Sequence, residues 1–534
     1  MTAPPSPGLT RRRLLVAGGA ALAGSGAFPL TSVAARARRS PLARAGRFGS
    51  GVAAGLPTER GALLWTRLDE LGERTAPGRE RLRWEVADDP GFGRVLLDGV
   101  VDASSLRDGT ARVQVASPRL EPGRPYWYRF ATRTTSSRIG RFTTLRPADS
   151  AEPVRIAFFS CQRYEHGWFT PQALLARDDV DLVVSLGDYL YEEDATPISP
   201  ERRDTSGLPN GHVETLAQFR ARHRTYRSDE RLQDMHAAHA VVSIWDDCEV
   251  EGNWAGEGPS SGPSPVGERA VPFAEKRRNG ILAYFEWMPV PRPRGVDRFK
   301  VYRSLRLGRH AELFLLDTRQ YRDPQPCGDV SFDSGPPCAT VDAPRKRLGD
   351  AQKAWLKDRV PASDATWKVL GNAQMMMALD VAPGLPSQVD DWAGYGAERR
   401  EVLEHFRARG VRNLTSIVGD VHSYFAGDLH TTGRVDGRRV GTEFVGASVS
   451  HRSLTLPGLS KEQSDLITGN LTLTNPHLRF ADFRRHGYAV LEARAQELRV
   501  DFKGVSTVRS PAADPVAVAS FRVADGRPVV ERTA

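Results

Sequence analysis

Between residues 152 and 505 the apolar positions come in short, nearly unbroken runs rather than in alternation. Leu182-Val183-Val184-Ser185-Leu186, closed by Gly187, shows the pattern most clearly. Such a run predicts a strand covered on both faces, and the glycine lets the backbone turn sharply at its end. Comparable runs predict strands at Val154–Phe159, Ala240–Trp245, Ala311–Leu316, Trp367–Leu370 and Leu414–Val418. Helical stretches fall between them, at Pro171–Ala176, Thr215–Tyr226, Ala274–Trp287, Gly349–Arg359 and Arg399–Arg409. The alternation predicts a layered α/β domain over residues 152–505, followed by a C-terminal extension at 506–534, with the Gly/Pro/Ser segment 256–267 as an exposed loop. Upstream the pattern differs. Short β-type runs at Ala62–Arg67, Leu82–Val86, Ala111–Val115 and Tyr126–Thr132, separated by Pro/Gly turns, predict a small β-sandwich over residues 46–148, like an immunoglobulin or fibronectin module.

The first 45 residues carry no acid, and Arg11-Arg12-Arg13 leads into an Ala/Gly/Leu-rich stretch. This predicts a twin-arginine export signal and linker, with Ser32-Val33-Ala34 or Ala35-Arg36-Ala37 suited to cleavage, rather than a membrane anchor, because the stretch is short and Gly-rich. The mature protein is then secreted or held in the cell envelope, the translocation machinery is its export partner, and no later segment is apolar enough to span a bilayer. The formal charge of +9 across 534 residues suggests nucleic acid, but seven arginines lie in the signal and linker. The remaining excess is +2, with no basic stripe among aromatics, so a dedicated nucleic-acid partner is not expected. Cys327 and Cys338 flank a Gly/Pro/Ser/Asp-rich loop and are expected to form a disulfide in an oxidising compartment.

Strand after strand ends in side chains that can bind metal. Ser160-Cys161-Gln162 follows the first, Asp188 and Tyr191 the second, Asp246-Asp247-Cys248-Glu249 the third, and Gly419-Asp420-Val421-His422 a later one. Each alone has an ordinary explanation, as core cysteine, satisfied tyrosine or helix cap. Together, at consecutive strand ends, they point to a dinuclear or larger metal centre. A shared carboxylate such as Asp188 could bridge two cations, Asp247 and Asn253 offer hard oxygen atoms, and Cys161 and Tyr191 could supply thiolate and phenolate to ferric iron. Asp420 and His422 would face one side of an extended strand, which repeats every two residues.

The set Phe159-Ser160-Cys161-Gln162, Gly187-Asp188-Tyr189-Leu190-Tyr191-Glu192, Trp245-Asp246-Asp247, Leu316-Asp317-Thr318-Arg319, Gly419-Asp420-Val421-His422-Ser423 and Asn475-Pro476-His477 resembles the PhoD-type alkaline phosphatase and phosphodiesterase family. Gly51-Val52-Ala53 and Leu64-Trp65-Thr66-Arg67 resemble its N-terminal domain. The resemblance implies a calcineurin-like αββα metallophosphatase core holding Fe3+ and Ca2+, with Cys161 and Tyr191 on iron and Asp188 bridging. Asp247, Asn253, Asp420 and His422 would complete the cluster. It implies hydrolysis of phosphate mono- or diesters by metal-activated water, with Arg319 offsetting charge on the phosphoryl oxygens and Cys248 and His422 beside the reacting groups. Alternatives are phospholipase D-like cleavage of phospholipid head groups, or a degenerate metal-binding member. The last rests on Cys248, which stands where the family places histidine next to the leaving group; His166 or His477 could replace that proton donor. Gly252-Asn253 and Gly55-Leu56-Pro57 also depart from the family pattern.

Overall fold

The computed structural model describes residues 41–72, 77–261, 269–292, 295, 299–329, 343–453 and 461–534. The expected export signal therefore lies outside the described residues, apart from the last part of its linker. Two seven-stranded sheets form the catalytic part. The first runs, in spatial order, Val241–Ile244, Leu182–Leu186, Val154–Phe159, Gly487–Ala493, Glu497–Val505, Pro515–Ala524 and Glu531–Arg532. Its first three strands are parallel and the rest antiparallel. The second runs Arg303–Leu307, Ala311–Leu315, Trp367–Asn372, Leu414–Val418, Arg439–Val445, Tyr424–His430 and Leu478–Asp482, with a parallel centre and antiparallel edges.

The unbroken apolar runs are explained by burial on both faces. Along the first sheet, Ile156, Phe158, Leu182, Val184, Leu186, Val242 and Ile244 pack between the sheets against Leu313, Leu315, Val369 and Ile417. The alternate positions, Ala157, Phe159, Val183 and Val241, meet helical residues including Met235, Ile281, Tyr284 and Phe285. On the far side Phe314, Leu370, Leu414 and Val418 meet Leu356, Val360, Val402, Leu403 and Phe406 from the helices Gly349–Ala362 and Gly396–Ala408. Each strand thus contributes to two cores, and the layering is helix, sheet, sheet, helix.

All six predicted catalytic strands and all five predicted helices are present, with ends shifted by a few residues at most. The helix Leu216–Arg227 begins where a capping box forms, Thr215 and Gln218 each satisfying the other's backbone N–H. The expected boundary at 505 is corrected: Pro515–Ala524 pairs along Glu497–Val505, so the segment read as an extension supplies two more strands to the first sheet. Its alternation of exposed and buried positions marks an edge region, a weaker sequence signal than the central runs.

Seven antiparallel strands between Val52 and Thr143 form the N-terminal module. They lie in one seven-stranded sheet, in the spatial order Val52–Thr58, Gly61–Arg67, Thr110–Ala116, Val95–Ser104, Arg79–Ala87, Pro125–Ala131 and Gly140–Thr143. Its third and fourth strands are joined by a single pair, Thr110 with Ser104, so the sheet folds there into two halves. Leu64, Val86, Val115, Tyr126, Tyr128, Phe130 and Phe142 fill the interior. The module docks on the catalytic sheets through a bridge from Ala54 to Ala240, the Trp65 indole donating to the Glu286 carbonyl at 2.8 Å, and Arg224 on Asp108 at 2.7 Å. Cys327 is disulfide-bonded, while its expected partner Cys338 lies outside the described residues; Cys161 and Cys248 are free thiols.

Candidate metal centre

The loops beyond the strand ends share an unusual backbone. Cys161, Asp188, Asn253, Asp420 and His422 all adopt left-handed φ, between 49° and 62°. That region is sparsely populated by residues with a Cβ and costs on the order of 1–3 kcal/mol each. Gly187 approaches so closely that a Cβ there would meet Asp246 at 2.4 Å. The chain turns sharply off each buried strand, and these turns aim the side chains into one volume.

Asp188 sits at its centre. Its Oδ2 accepts from the Tyr191 hydroxyl at 3.0 Å and lies 3.6 Å from the Cys161 thiol, while Oδ1 accepts from the Cys248 backbone N–H at 3.4 Å. Ligand-type atoms of Cys161, Asp188 and His422 lie within 4.8 Å of one another, and so do those of Asp188, Asp247 and Cys248. Two triads therefore share one carboxylate. The Tyr191 hydroxyl is also 3.1 Å from His422 Nε2. Asn253 joins through its backbone N–H, which donates to Asp247 at 2.6 Å, while its side-chain amide donates to Asp329 at 2.9 Å. Asp420 accepts from Gln388 at 3.2 Å. Asp420 and His422 lie on a tight turn before the strand Tyr424–His430, so left-handed turn geometry rather than strand alternation orients them.

The electrostatics favour added positive charge. Burial pushes the Asp188 carboxyl well above the usual range, and repulsion from Asp247 and Asp246 adds to it. Burial and then Asp390 and Asp247 push Asp420 up to about 7. The Cys161 thiol and Tyr191 phenol are raised by burial and then by Asp188, and burial lowers His422 to about 4. Each shift opposes the form that ligates metal, except at the neutral imidazole, and a cation among these groups would reverse them. Thiol, phenol, imidazole and carboxylates in one buried volume fit the donor chemistry of metal ions.

Arg319 was expected to face phosphoryl oxygens. The structure instead places its guanidinium, 0% exposed, among carboxylates, at 2.6 Å from Asp246, 2.8 Å from Asp390 and 3.6 Å from Asp247. That arrangement braces Asp247 from behind.

The sequence marked Glu249 as a strand-end side chain and His166 and His477 as possible proton donors, but the supporting roles of these and several other residues were not identified in it. Glu249 accepts from the N–H groups of Tyr189 and Asp246 at 2.7 and 2.9 Å, tying two ligand loops together. Glu192 accepts from Gly252 N–H at 2.7 Å. Asp390 gathers Arg319, Arg322 and Gln325; its Asp390-Asp391 pair repeats the Asp246-Asp247 pattern and was the available signal. His451 stacks on Tyr191 at 4.7 Å and lies 3.9 Å from the His422 ring, in a loop with no periodic signal. His166 packs 4.8 Å from His451. His477 is bonded to the Ala378 carbonyl at 2.8 Å, beside the strand Leu478–Asp482.

Residues 156–502 match the model of the PhoD-like phosphatase family, and residues 33–146 that of the PhoD-like phosphatase N-terminal domain. Alkaline phosphatase D of Bacillus subtilis (strain 168) is 33% identical over 488 residues, covering 89% of this chain and 80% of that protein. The solved structure of PhoD is similar at a TM-score of 0.81 and 30% identity, over 93% of this chain and 94% of that one.

Proposed function

The chain belongs to the PhoD-like phosphatase family and is a phosphoric ester hydrolase, and from that premise we propose that it is exported and depends on Fe3+ and Ca2+ to hydrolyse phosphate mono- or diesters. One observation carries the metal reading: Asp188 is common to two ligand triads, as a bridge between neighbouring cations requires. Cys161 and Tyr191 are the soft and phenolic donors suited to ferric iron, and Asp247, Asn253, Asp420 and His422 are the donors left for calcium. When bound, the metals would supply Lewis acidity toward a phosphoryl oxygen and lower the pKa of a water molecule.

The chain's own residues act as follows. Glu249 and the left-handed turns hold the ligand loops, so little reorganisation accompanies substrate binding. Arg319 orients Asp246 and Asp247 through its ion pairs and acts as a positioning residue. Cys248, 9% exposed and beside Asp188, has a thiol raised well above its ordinary pKa by burial and then by Asp188 and Asp247. It is therefore a neutral, weak donor toward a leaving oxygen, which favours esters whose leaving group needs no proton. Export by the twin-arginine route rests on Arg11-Arg12-Arg13 and the Ala/Gly/Leu stretch after it. Among the described residues no helix is long and apolar enough to cross a membrane.

The deciding experiment combines elemental analysis of the purified protein with hydrolysis of nitrophenyl phosphate, bis-nitrophenyl phosphate and phosphatidylcholine, before and after chelation. Iron and calcium bound at stoichiometric levels, with chelator-sensitive hydrolysis of the nitrophenyl esters, is expected. Metal-free protein at full activity would overturn the reading, and preference for phosphatidylcholine would select the phospholipase alternative.

A further inference from the structure

The motif Leu64-Trp65-Thr66-Arg67 lies away from the strand ends where the chemistry gathers, and Trp65 leads to a second anomaly. Arg227, the last residue of the helix Leu216–Arg227, places its guanidinium 4.6 Å from the Trp65 ring centroid and is 0% exposed. Five other arginines are among the largest fully buried side chains. Arg67, Arg202, Arg222 and Arg319 each meet a carboxylate, and Arg347 bonds to the carbonyls of Asp390 and Asp391. Arg227 does neither: its Nε, Nη1 and Nη2 have no hydrogen-bond partner.

The groups around it share this condition. The Tyr128 hydroxyl, from the N-terminal module, is buried without a partner, and so are Trp287 Nε1, His223 Nδ1 and His236 Nδ1, from the catalytic helices. All are at most 1% exposed. The His223 ring stacks on Trp287 at 5.6 Å and 6°, and Trp287 lies 5.6 Å from Trp65. Burial and then Arg227 push His223 down to about 3 and His236 well below its ordinary value, so both imidazoles are neutral, and burial keeps Tyr128 protonated. Arg227 is therefore the one unanswered charge here: Arg67, whose guanidinium also lies over the Trp287 ring at 5.4 Å, is paired with Asp69 and Asp108.

A guanidinium does not shed its proton. A desolvated cation–π contact offsets only part of the cost of burying an uncompensated ion. The imbalance calls for a counter-charge. We propose that the junction between the N-terminal module and the catalytic sheets binds a small monovalent anion of the halide class against Arg227, with the Tyr128 hydroxyl and the Trp287 indole N–H as neighbouring donors. The enclosure of every group in the cluster selects a monoatomic ion over a phosphate ester. Because Tyr128 and Trp65 come from one module and Arg227 and Trp287 from the other part of the chain, the ion would fasten the two together.

Two measurements on the full chain test this. Anomalous diffraction from crystals grown in sodium bromide should show a bromide peak within hydrogen-bond distance of the Arg227 guanidinium. Thermal unfolding in sodium chloride, against sodium gluconate at equal ionic strength, should show a saturable rise of a few degrees in the midpoint, as expected for a ligand bound only by the folded state. Tyr128→Phe keeps the ring in place and should weaken the chloride response. Water rather than bromide at the guanidinium, bromide at surface sites only, or equal midpoints in the two salts would each overturn the proposal.

Discussion

Replacing Cys248 with histidine probes the proposed chemistry most directly. The thiol sits within 4.8 Å of the ligand atoms of Asp188 and Asp247, its own backbone N–H donates to Asp188, and it is 9% exposed. Burial and both carboxylates raise its pKa, which favours the neutral thiol. An imidazolium at the same place could bond to a phosphate oxygen and protonate a departing alkoxide. A positioned general acid contributes roughly 10² to 10⁴ in rate. The low end, about 10², is expected for Cys248→His, because an inserted imidazole would lack a partner shaped to orient it. The gain should fall on alkyl phosphates, whose leaving group needs the proton, and leave nitrophenyl phosphates within a few-fold of wild type. The assay is the ratio of kcat/KM on a paired alkyl and nitrophenyl ester for wild type and variant, with metal content measured on both samples. An unchanged ratio at unchanged metal content would refute the reasoning and leave Cys248 as packing.

If Cys161 and Tyr191 hold ferric iron, the purified protein should show a visible charge-transfer band that Tyr191→Phe and Cys161→Ser each shift or abolish; iron-free protein with full activity would exclude the assignment. Chelated enzyme should regain activity with calcium, whose coordination tolerates irregular oxygen donors, and full recovery on magnesium alone would count against calcium. Arg319→Gln leaves Asp246 and Asp247 without their cation and Asp390 with Arg322 alone, and breaking a buried pair costs about 3–5 kcal/mol, so a large fall in unfolding midpoint should accompany any loss of kcat. Lost activity at unchanged stability would return Arg319 to substrate contact. Glu443 accepts from the N–H groups of Met376 and Met377, and burial raises its pKa from 4.5 to about 7. Its contribution to stability is therefore fully present below about pH 4.5 and lost as pH rises through about 7. Glu443→Gln should remove up to about 3 kcal/mol of that loss, seen as a smaller drop in midpoint between pH 5 and pH 9; identical pH profiles would show that the carboxyl ionises freely.

Much of this protein was legible in its sequence because burial on two faces leaves a local mark. Val154–Phe159, Leu182–Leu186 and Leu414–Val418 were bounded to the residue, since a strand between a sheet and a helix is buried on both faces and reads as a mostly apolar run. Edge strands such as Pro515–Ala524 carry only half that mark and were read as an extension. The ligand types at the strand ends were visible because they recur directly after one apolar run after another, a coincidence that no single turn or cap explains.

What remained hidden depends on partners far apart in the chain. Arg319 could not be assigned from its own neighbours, because Asp246 and Asp390 reach it from other loops, 73 and 71 residues away. His451 comes to Tyr191 from beyond a different sheet. Asp420 and His422 owe their orientation to two left-handed residues, a backbone state that non-glycine residues do not advertise. The unpaired Arg227 is the extreme case: as a sequence feature it is an ordinary basic residue at a helix C-terminus. Hydrophobic burial is a property of each residue and repeats along the chain, so it is encoded locally. Charge compensation and metal geometry are properties of sets of residues, and only the tertiary structure, by bringing those sets together in a low-dielectric interior, decided which charges are answered and which are not.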